Sequence, residues 1–336
     1  MRIFHRSTFP EPLKTLPPTI ADVREAQSRI QNQVRVTPVL DCAELRELTG
    51  AEITLKCENL QHVGAFKARG ACNAVLSLSD SAAASGVVAH SSGNHAAALA
   101  RAAKLRGIPA TLVMPENSRP NKIASVRKLG ADLVFSESDA ESRQATTDAI
   151  LADRGGVFIH PYDDPRIIAG QGTAALEWTT QSEPLDIILA PVGGGGLLSG
   201  TLLALKSLWP KTQVIGAEPA FADDARRSLN SGQIEQPTRY DSIADGLRTP
   251  LGEWTFPIIQ NLVDDILLAT EAEIIRATRL LIENARIVVE PSAAVPLATI
   301  LAHPDRFAGK RVGILLSGGN LDLDDLPWST LLRDQP

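Results

Sequence analysis

From about Ala51 onward the chain alternates short β-branched runs with longer stretches whose apolar residues recur at helical spacing. Strands that pair in parallel need a crossover between them, so this alternation predicts an α/β fold built on parallel sheets. Strands are expected over residues 53–57, 87–90, 110–114, 133–136, 157–160, 187–192, 214–217, 266–268 and 312–316. Most of these runs are apolar throughout, as strands covered on both faces should be. Helices are expected over 71–78, 94–106, 122–129, 197–208 and 271–285, with Gly107, Gly130 and Gly232 as stops.

At 336 residues the chain exceeds what one core usually fills, so two domains are expected, each an open, mostly parallel sheet flanked by helices. Residues 86–161 would form a small domain inserted into a larger, discontinuous one made of residues 19–85 and 162–336. Residues 1–18 carry Pro10, Pro12, Pro17 and Pro18 but no apolar core, and read as an extended arm rather than a secretory leader. A formal net charge of -6 with both signs interspersed offers no basic stripe for nucleic acid. No apolar run approaches the roughly 20 residues of a membrane span. Cys42, Cys57 and Cys72, odd in number and far apart, fit buried reduced thiols of a cytoplasmic protein better than disulfides or a zinc site.

Four motifs sit where strands should end, three of them where a helix should begin. Val63-Gly64-Ala65-Phe66-Lys67-Ala68-Arg69-Gly70 puts a lysine at a helix start. The positive end of the helix dipole lowers an amine pKa there, which favours the neutral nucleophile of Schiff-base chemistry; a solvated loop lysine is the plain alternative. Ser91-Ser92-Gly93-Asn94-His95 precedes an Ala-rich helix, so its backbone N–H groups would face an anion. Ser and Asn are also ordinary helix caps, although capping explains one hydroxyl and not the whole cluster.

The run Gly193, Gly194, Gly195, Gly196 lies between a strand and a helix. Each glycine costs roughly 0.5–1 kcal/mol relative to Ala in regular structure, so a phosphate cradle explains the run better than a passive hinge. Glu218 closes the next strand where a ribose-binding acid would sit, but no register of the glycines gives G-x-G-x-x-G. Ser317-Gly318-Gly319-Asn320 ends the last strand, where parallel sheets present ligand-binding residues; a simple turn stands equally open.

Together these motifs, with His160-Pro161-Tyr162-Asp163-Asp164-Pro165 and the Ile168-Ala169-Gly170-Gln171-Gly172-Thr173 run that follows, resemble the fold-type II pyridoxal-phosphate enzymes. The likeness is to the serine and threonine dehydratase and serine racemase family and runs from about Ile20 to Asp322. It implies pyridoxal 5'-phosphate in the cleft between two domains, and a homodimer. Lys67 would anchor the cofactor and take the substrate α-proton, Asn94 would meet the pyridine hydroxyl, Gly193 to Gly196 the phosphate, and Ser317 the pyridine nitrogen. A hydroxyl does not keep that nitrogen protonated as a carboxylate would, which favours loss of a β-hydroxyl over transamination. The implied reaction turns L-threonine or L-serine, small amino acid substrates, into a 2-oxo acid and ammonia. Ser91, Asn94 and His95 would take the substrate carboxylate.

The resemblance also leaves choices open. Ser92 stands where many plain dehydratases of the family have Ala and racemase-like members have a proton-exchanging Ser, so a serine racemase or a threo-3-hydroxyaspartate dehydratase is an alternative. From another class, a non-catalytic protein that binds pyridoxal phosphate or an amino acid is a third. Arg143 resembles a substrate-meeting position, or is a solvated helix-start charge. Glu218, Ala222 and Asp224 resemble a divalent-cation site suited to Mg²⁺, Mn²⁺ or Ca²⁺, or are helix-start acids. Tyr162 stands where the family has Asn or Phe, and Ala97 where it has Gln, which bears on the substrate. An end soon after the Ser317-to-Asn320 turn leads one to expect no appended regulatory domain.

Overall fold

The structure is a computed structural model and describes residues 16–91, 93–118 and 120–322, so nearly all of the expected N-terminal arm lies outside the described residues. The strands are β1 Val39–Asp41, β2 Glu52–Cys57, β3 Val87–His90, β4 Ala110–Pro115, β5 Asp132–Ser136, β6 Val157–Phe158, β7 Ile187–Pro191, β8 Gln213–Pro219, β9 Asp265–Ala269 and β10 Arg311–Leu316. They build a six-stranded sheet of order β1-β2-β10-β7-β8-β9 and a four-stranded sheet of order β5-β4-β3-β6. Among these described strands only the β1–β2 pair is antiparallel. An α/β fold of parallel sheets flanked by helices is thus what the alternating sequence forms.

Differences from the sequence reading have local causes. β1 is three residues long and mostly exposed, too short to carry a period. β6 stops at Phe158 because the chain turns out of the sheet: Ile159 still donates to Val88 O, whereas His160 Nδ1 accepts from Asp163 N at 2.8 Å. The helix expected over 271–285 is α-helical only from Glu271 to Leu280 and continues as a π-helical turn, Leu281–Ala285. There the Asn284 side chain donates to Leu280 O at 2.9 Å, and Arg286 follows with a left-handed φ of 55°. Gly107 and Gly232 are left-handed stops as expected.

One apolar core lies between the large sheet and the Pro291–Ala302 helix, and another covers the opposite face of that sheet. A third joins β3 and β4 to the Lys67–Leu76 and Asn94–Arg106 helices. Cys42, Cys57 and Cys72 are free and buried. Among the described residues no helix is long and apolar enough to cross a membrane.

This architecture gathers the motifs. The segments after β2, β10 and β7, three neighbouring strands, carry respectively Lys67, the Ser317 turn and the glycine run. Ligands of open α/β sheets bind outside such carboxyl ends. The Lys67 segment is fastened from behind by a buried ion cluster. Arg69 donates from Nε and Nη2 to the two Glu58 oxygens at 2.8 and 2.7 Å, and from Nη2 to Glu177 Oε1 at 3.0 Å. Lys56 Nζ, fully buried, donates to Glu177 Oε1 at 2.5 Å and to Thr37 O at 2.9 Å. Burial alone would raise the Glu177 carboxyl, but Arg69 and Lys56 hold it below its ordinary value.

Breaking a buried ion pair by deleting one partner leaves an uncompensated charge, at a cost of about 3–5 kcal/mol. Glu58→Ala is therefore expected to lower equilibrium stability by about that much, whereas Glu283→Ala, in the exposed Arg279–Glu283 pair, leaves the unfolding midpoint almost unchanged. Chemical denaturation of the two variants side by side checks this; equal midpoints would remove the cluster's structural role.

Candidate active site

Lys67 is the first residue of the Lys67–Leu76 helix, and its Nζ donates to Pro161 O at 2.7 Å. Burial pushes its amine down from the ordinary lysine value to about 8, with the charge of Glu290 working against the shift. The helix start and the Ser317 turn are sewn together: Phe66 N donates to Ser317 O at 3.0 Å, Gly319 N donates to Gly64 O at 2.9 Å, and Ala65 bridges to Gly318. Ser317 itself is buried at the end of β10.

Asn94 opens the Asn94–Arg106 helix after β3, so it comes from the smaller sheet, yet it reaches the same turn. Its Nδ2 donates to both Glu290 oxygens, at 3.0 and 3.1 Å, and its Oδ1 accepts from Asn320 Nδ2 at 2.7 Å. Glu290 precedes the Pro291–Ala302 helix; burial raises its carboxyl to about 7 against the hydrogen bond from Asn94.

The glycine run is buried between β7 and the Gly196–Leu208 helix. Gly195 takes a left-handed φ of 86° as that helix's cap, which a side chain would strain. A Cβ on Gly194 would lie 2.4 Å from the Tyr162 ring. Tyr162 therefore packs flush on the loop, and its ring also meets that of His160, with centroids 4.5 Å apart and edge to face. Thr255 Oγ1 donates to Gly194 O at 2.8 Å, and Asp163 accepts from the backbone N–H groups of Glu253, Trp254 and Thr255. Loop and lysine thus share one wall, the segment from His160 to Asp163.

Other expected site residues fall as follows. Ser91, at the end of β3, accepts at Oγ from Gly93 N at 3.3 Å, while Ser92 lies outside the described residues. The His95 ring is turned inward: a carbonyl can only accept, so Nε2 donates to Ile159 O, and Nδ1 is left a buried acceptor without a partner. Burial holds this imidazole well below its usual pKa, so what His95 offers an anion is its backbone N–H at the helix start. Arg143, in the Ala140–Arg154 helix, stands near enough to His90 for its charge to add to burial in lowering that imidazole.

Glu218 lies one residue before the end of β8, and its oxygens accept from Ala225 N at 2.7 Å and Arg226 N at 2.9 Å. Asp224 is buried with both oxygens unpartnered, and burial raises its carboxyl to about 7. Burial and then the charge of Asp224 drive Glu218 well above the usual range. Ala222 is buried in the turn between them. Among the described residues no three His, Cys, Asp or Glu side chains cluster for a metal, so a cation here would need backbone and water oxygens beside the two acids.

Sequence reasoning passed over Glu290 and Asn320. Glu290-Pro291 reads only as a helix start, and Asn320 as the end of a turn; their meeting with Asn94 spans 196 and 226 residues. No local pattern carries such a contact.

The model of a family described as "Pyridoxal-phosphate dependent enzyme" matches residues 30–318. The chain is 50% identical over 312 residues to a beta-hydroxyaspartate dehydratase of Paracoccus denitrificans, covering 93% of this chain and 99% of that protein. It is 45% identical over 307 residues to an L-threo-3-hydroxyaspartate ammonia-lyase of Saccharomyces cerevisiae, covering 91% and 94%. The crystal structure of a serine racemase from Dictyostelium discoideum superposes with a TM-score of 0.87 at 46% identity, covering 91% of this chain and 99% of that one.

An amine with a pKa of about 8 is half neutral at pH 8, where an ordinary lysine is neutral to less than about 1%. In ligand-free protein, Lys67 is expected to be modified by an amine-selective reagent with a pH midpoint near 8, ahead of the exposed lysines. Mass-spectrometric counting of labelled peptides across pH reads this, and a midpoint near about 10, the ordinary lysine value, would contradict it.

Proposed function

The chain belongs to the pyridoxal-phosphate dependent enzymes, and from that membership we propose that it deaminates a β-hydroxy amino acid by eliminating water, which is taken up again as the resulting enamine hydrolyses to a 2-oxo acid and ammonia, with Lys67 holding the cofactor. The observation that carries this reading is the Lys67 amine itself, lowered to about 8 at a helix start and set on Pro161 O beside the glycine run. Bound pyridoxal phosphate supplies an aldehyde for the substrate amine and a ring that takes up the electron pair left at the α-carbon. Lys67 Nζ, neutral in a useful fraction near pH 8, takes the proton from the substrate α-carbon. Backbone N–H groups of Gly193 to Gly196, at the start of a 13-residue helix, hold the phosphate. Asn94 meets the ring hydroxyl and Ser317 the ring nitrogen, while Ser91, Asn94 and the His95 backbone N–H receive the substrate carboxylate.

The substrate we favour carries a second carboxylate, as 3-hydroxyaspartate does, rather than the side chain of L-threonine or L-serine. Two relatives named for that compound support it, at 50% and 45% identity. Arg143, beside the His90 that leads into Ser91, supplies the cation such a group needs. Racemisation through Ser92 is a second reading, supported by the likeness to serine racemase at 46% identity.

A cation fits Asp224, whose two buried oxygens lack donors. Mg²⁺, Mn²⁺ or Ca²⁺ held by Asp224, Glu218 and the Ala222 carbonyl would neutralise the two acids and fasten the Asp224–Ser231 helix to β8.

One panel tests the chemistry: ammonia release from threo-3-hydroxyaspartate, L-serine and L-threonine in D2O. Hydrogen bonds to a charged group contribute about 1.5–3 kcal/mol, so Arg143→Met is expected to raise KM for 3-hydroxyaspartate about 10- to 100-fold and to spare the monocarboxylates. Lys67→Ala is expected to be folded and inactive throughout. An active, folded Lys67→Ala protein would end the lyase reading; an Arg143 variant equally impaired on all three substrates would end the substrate assignment. Deuterium at the α-carbon of the opposite enantiomer would bring racemisation in.

Chelation is expected to lower the melting temperature, and Mg²⁺ or Mn²⁺ to restore it, since a ligand of the native state stabilises by about 2.7 kcal/mol at a hundred times its Kd. A melting curve indifferent to both leaves Asp224 a helix-start acid.

A further inference from the structure

The Asn94 side chain is held by partners that decide which way round its amide lies. Val63 O, a backbone carbonyl, can only accept, so the Asn320 atom 2.8 Å from it is the Nδ2 donor. The same Nδ2 lies 2.7 Å from Asn94, and its second hydrogen must meet an acceptor there, which is Oδ1. On the other side Asn94 faces the Glu290 carboxylate, which takes Nδ2 at 3.0 and 3.1 Å. The two oxygens of one carboxylate lie too close together to be met by both amide hydrogens, which diverge widely, so one N–H is shared between them. The other N–H of Asn94 has no protein partner among the described residues.

The holders are themselves fitted in place. A Cβ on Gly318 would lie 2.5 Å from Glu290 Oε1, and one on Gly64 would lie 2.5 Å from Asn320 Oδ1, so glycine in both loops makes room for the two side chains. Glu290 is 7% exposed and also accepts a hydrogen bond from the Asn320 backbone.

The geometry points to Glu290 and Asn320 as positioning residues that lock the Asn94 amide in one orientation and leave a single N–H for the cofactor's ring oxygen. This rests on the reading above in which Lys67 holds pyridoxal phosphate and Asn94 meets its ring hydroxyl. An N–H directed at that oxygen stabilises its anionic form, on which the long-wavelength absorption of the bound cofactor depends. The flipped amide would set Oδ1 against an oxyanion, a repulsive contact. Glu290 and Asn320 act through Asn94 and touch neither substrate nor ring.

The test reconstitutes wild type, Glu290→Gln, Glu290→Asp and Asn320→Asp with pyridoxal phosphate and records absorption spectra and cofactor affinity by spectral titration. Glu290→Gln offers an NH2 as well as a carbonyl and so no longer demands an N–H of Asn94 on that side, leaving Asn320 as the sole lock. Asn320→Asp replaces the donor facing Oδ1 with an acceptor, at an exposed position where the core is spared. Both are expected to lose much of the long-wavelength band and to bind the cofactor about tenfold more weakly, whereas Glu290→Asp, which again presents a carboxyl to the Asn94 N–H, recovers most of the band. The proposal is overturned if Glu290→Gln and Asn320→Asp both keep the wild-type spectrum and affinity. It is equally overturned if Glu290→Asp is as impaired as Glu290→Gln while Asn320→Asp matches wild type, since the effect is then packing alone. A wild-type protein with no visible band that borohydride bleaches would instead defeat the cofactor reading, and this proposal with it.

Discussion

The two-headed ion cluster of Arg69, Glu58, Glu177 and Lys56 is the contact on which the site's geometry depends. It joins β2, the turn after it, the Lys67–Leu76 helix and the last turn of the Pro165–Trp178 helix, with Thr37 Oγ1 donating to Glu58 at 2.6 Å. Its two cations and two carboxylates cancel, and each charge meets several hydrogen-bond partners, which is the condition under which buried charges are tolerated. An apolar cluster of the same volume would bury similar surface. It would not impose direction, whereas the fork of Arg69 on Glu58 is satisfied in one relative orientation of helix and turn. Arg69 stands two residues beyond Lys67, so the orientation that satisfies the fork also aims the amine.

Desolvation then tunes what the cluster has aimed. Lys67 at about 8, Glu290 at about 7 and His160 at about 3 are all moved by burial first, and each toward its neutral form. A nucleophilic amine needs that displacement, and a carboxylate facing an amide tolerates it. The His160 imidazole, kept neutral, can accept from Asp163 N at Nδ1 and so shape the turn that carries Pro161 and Tyr162. The same removal from water thus yields an easily neutralised amine at one group and a structural acceptor at another.

What could be read in the sequence follows from how far each interaction reaches along the chain. Parallel strands covered on both faces are largely apolar runs, so β3, β4, β7, β8, β9 and β10 were legible as such. Glycines and small polar residues at strand-to-helix junctions marked Lys67, Asn94, Gly193 to Gly196 and Ser317. The ion cluster was not legible, because Lys56 sits within a strand, between Leu55 and Cys57, and its partner Glu177 is 121 residues away. Glu290 was hidden for a similar reason, behind a proline that signals only a helix start. The inward turn of His95 depends on Ile159 O, 64 residues on, and no spacing within the Ser91-to-His95 motif announces it.

The three cysteines, incidental to the chemistry, give the molecule built-in clocks. Cys57 lies at the end of β2, Cys72 in the Lys67–Leu76 helix and Cys42 just before the Ala43–Thr49 helix; all are buried, and burial pushes the Cys57 thiol up to about 12. A thiol that is both enclosed and protonated reacts only when its neighbourhood opens. The rate at which each is trapped by an alkylating reagent under native conditions is therefore a count of openings at that point in the fold. Cys72 would time the helix that Lys67 opens, and Cys57 the end of β2.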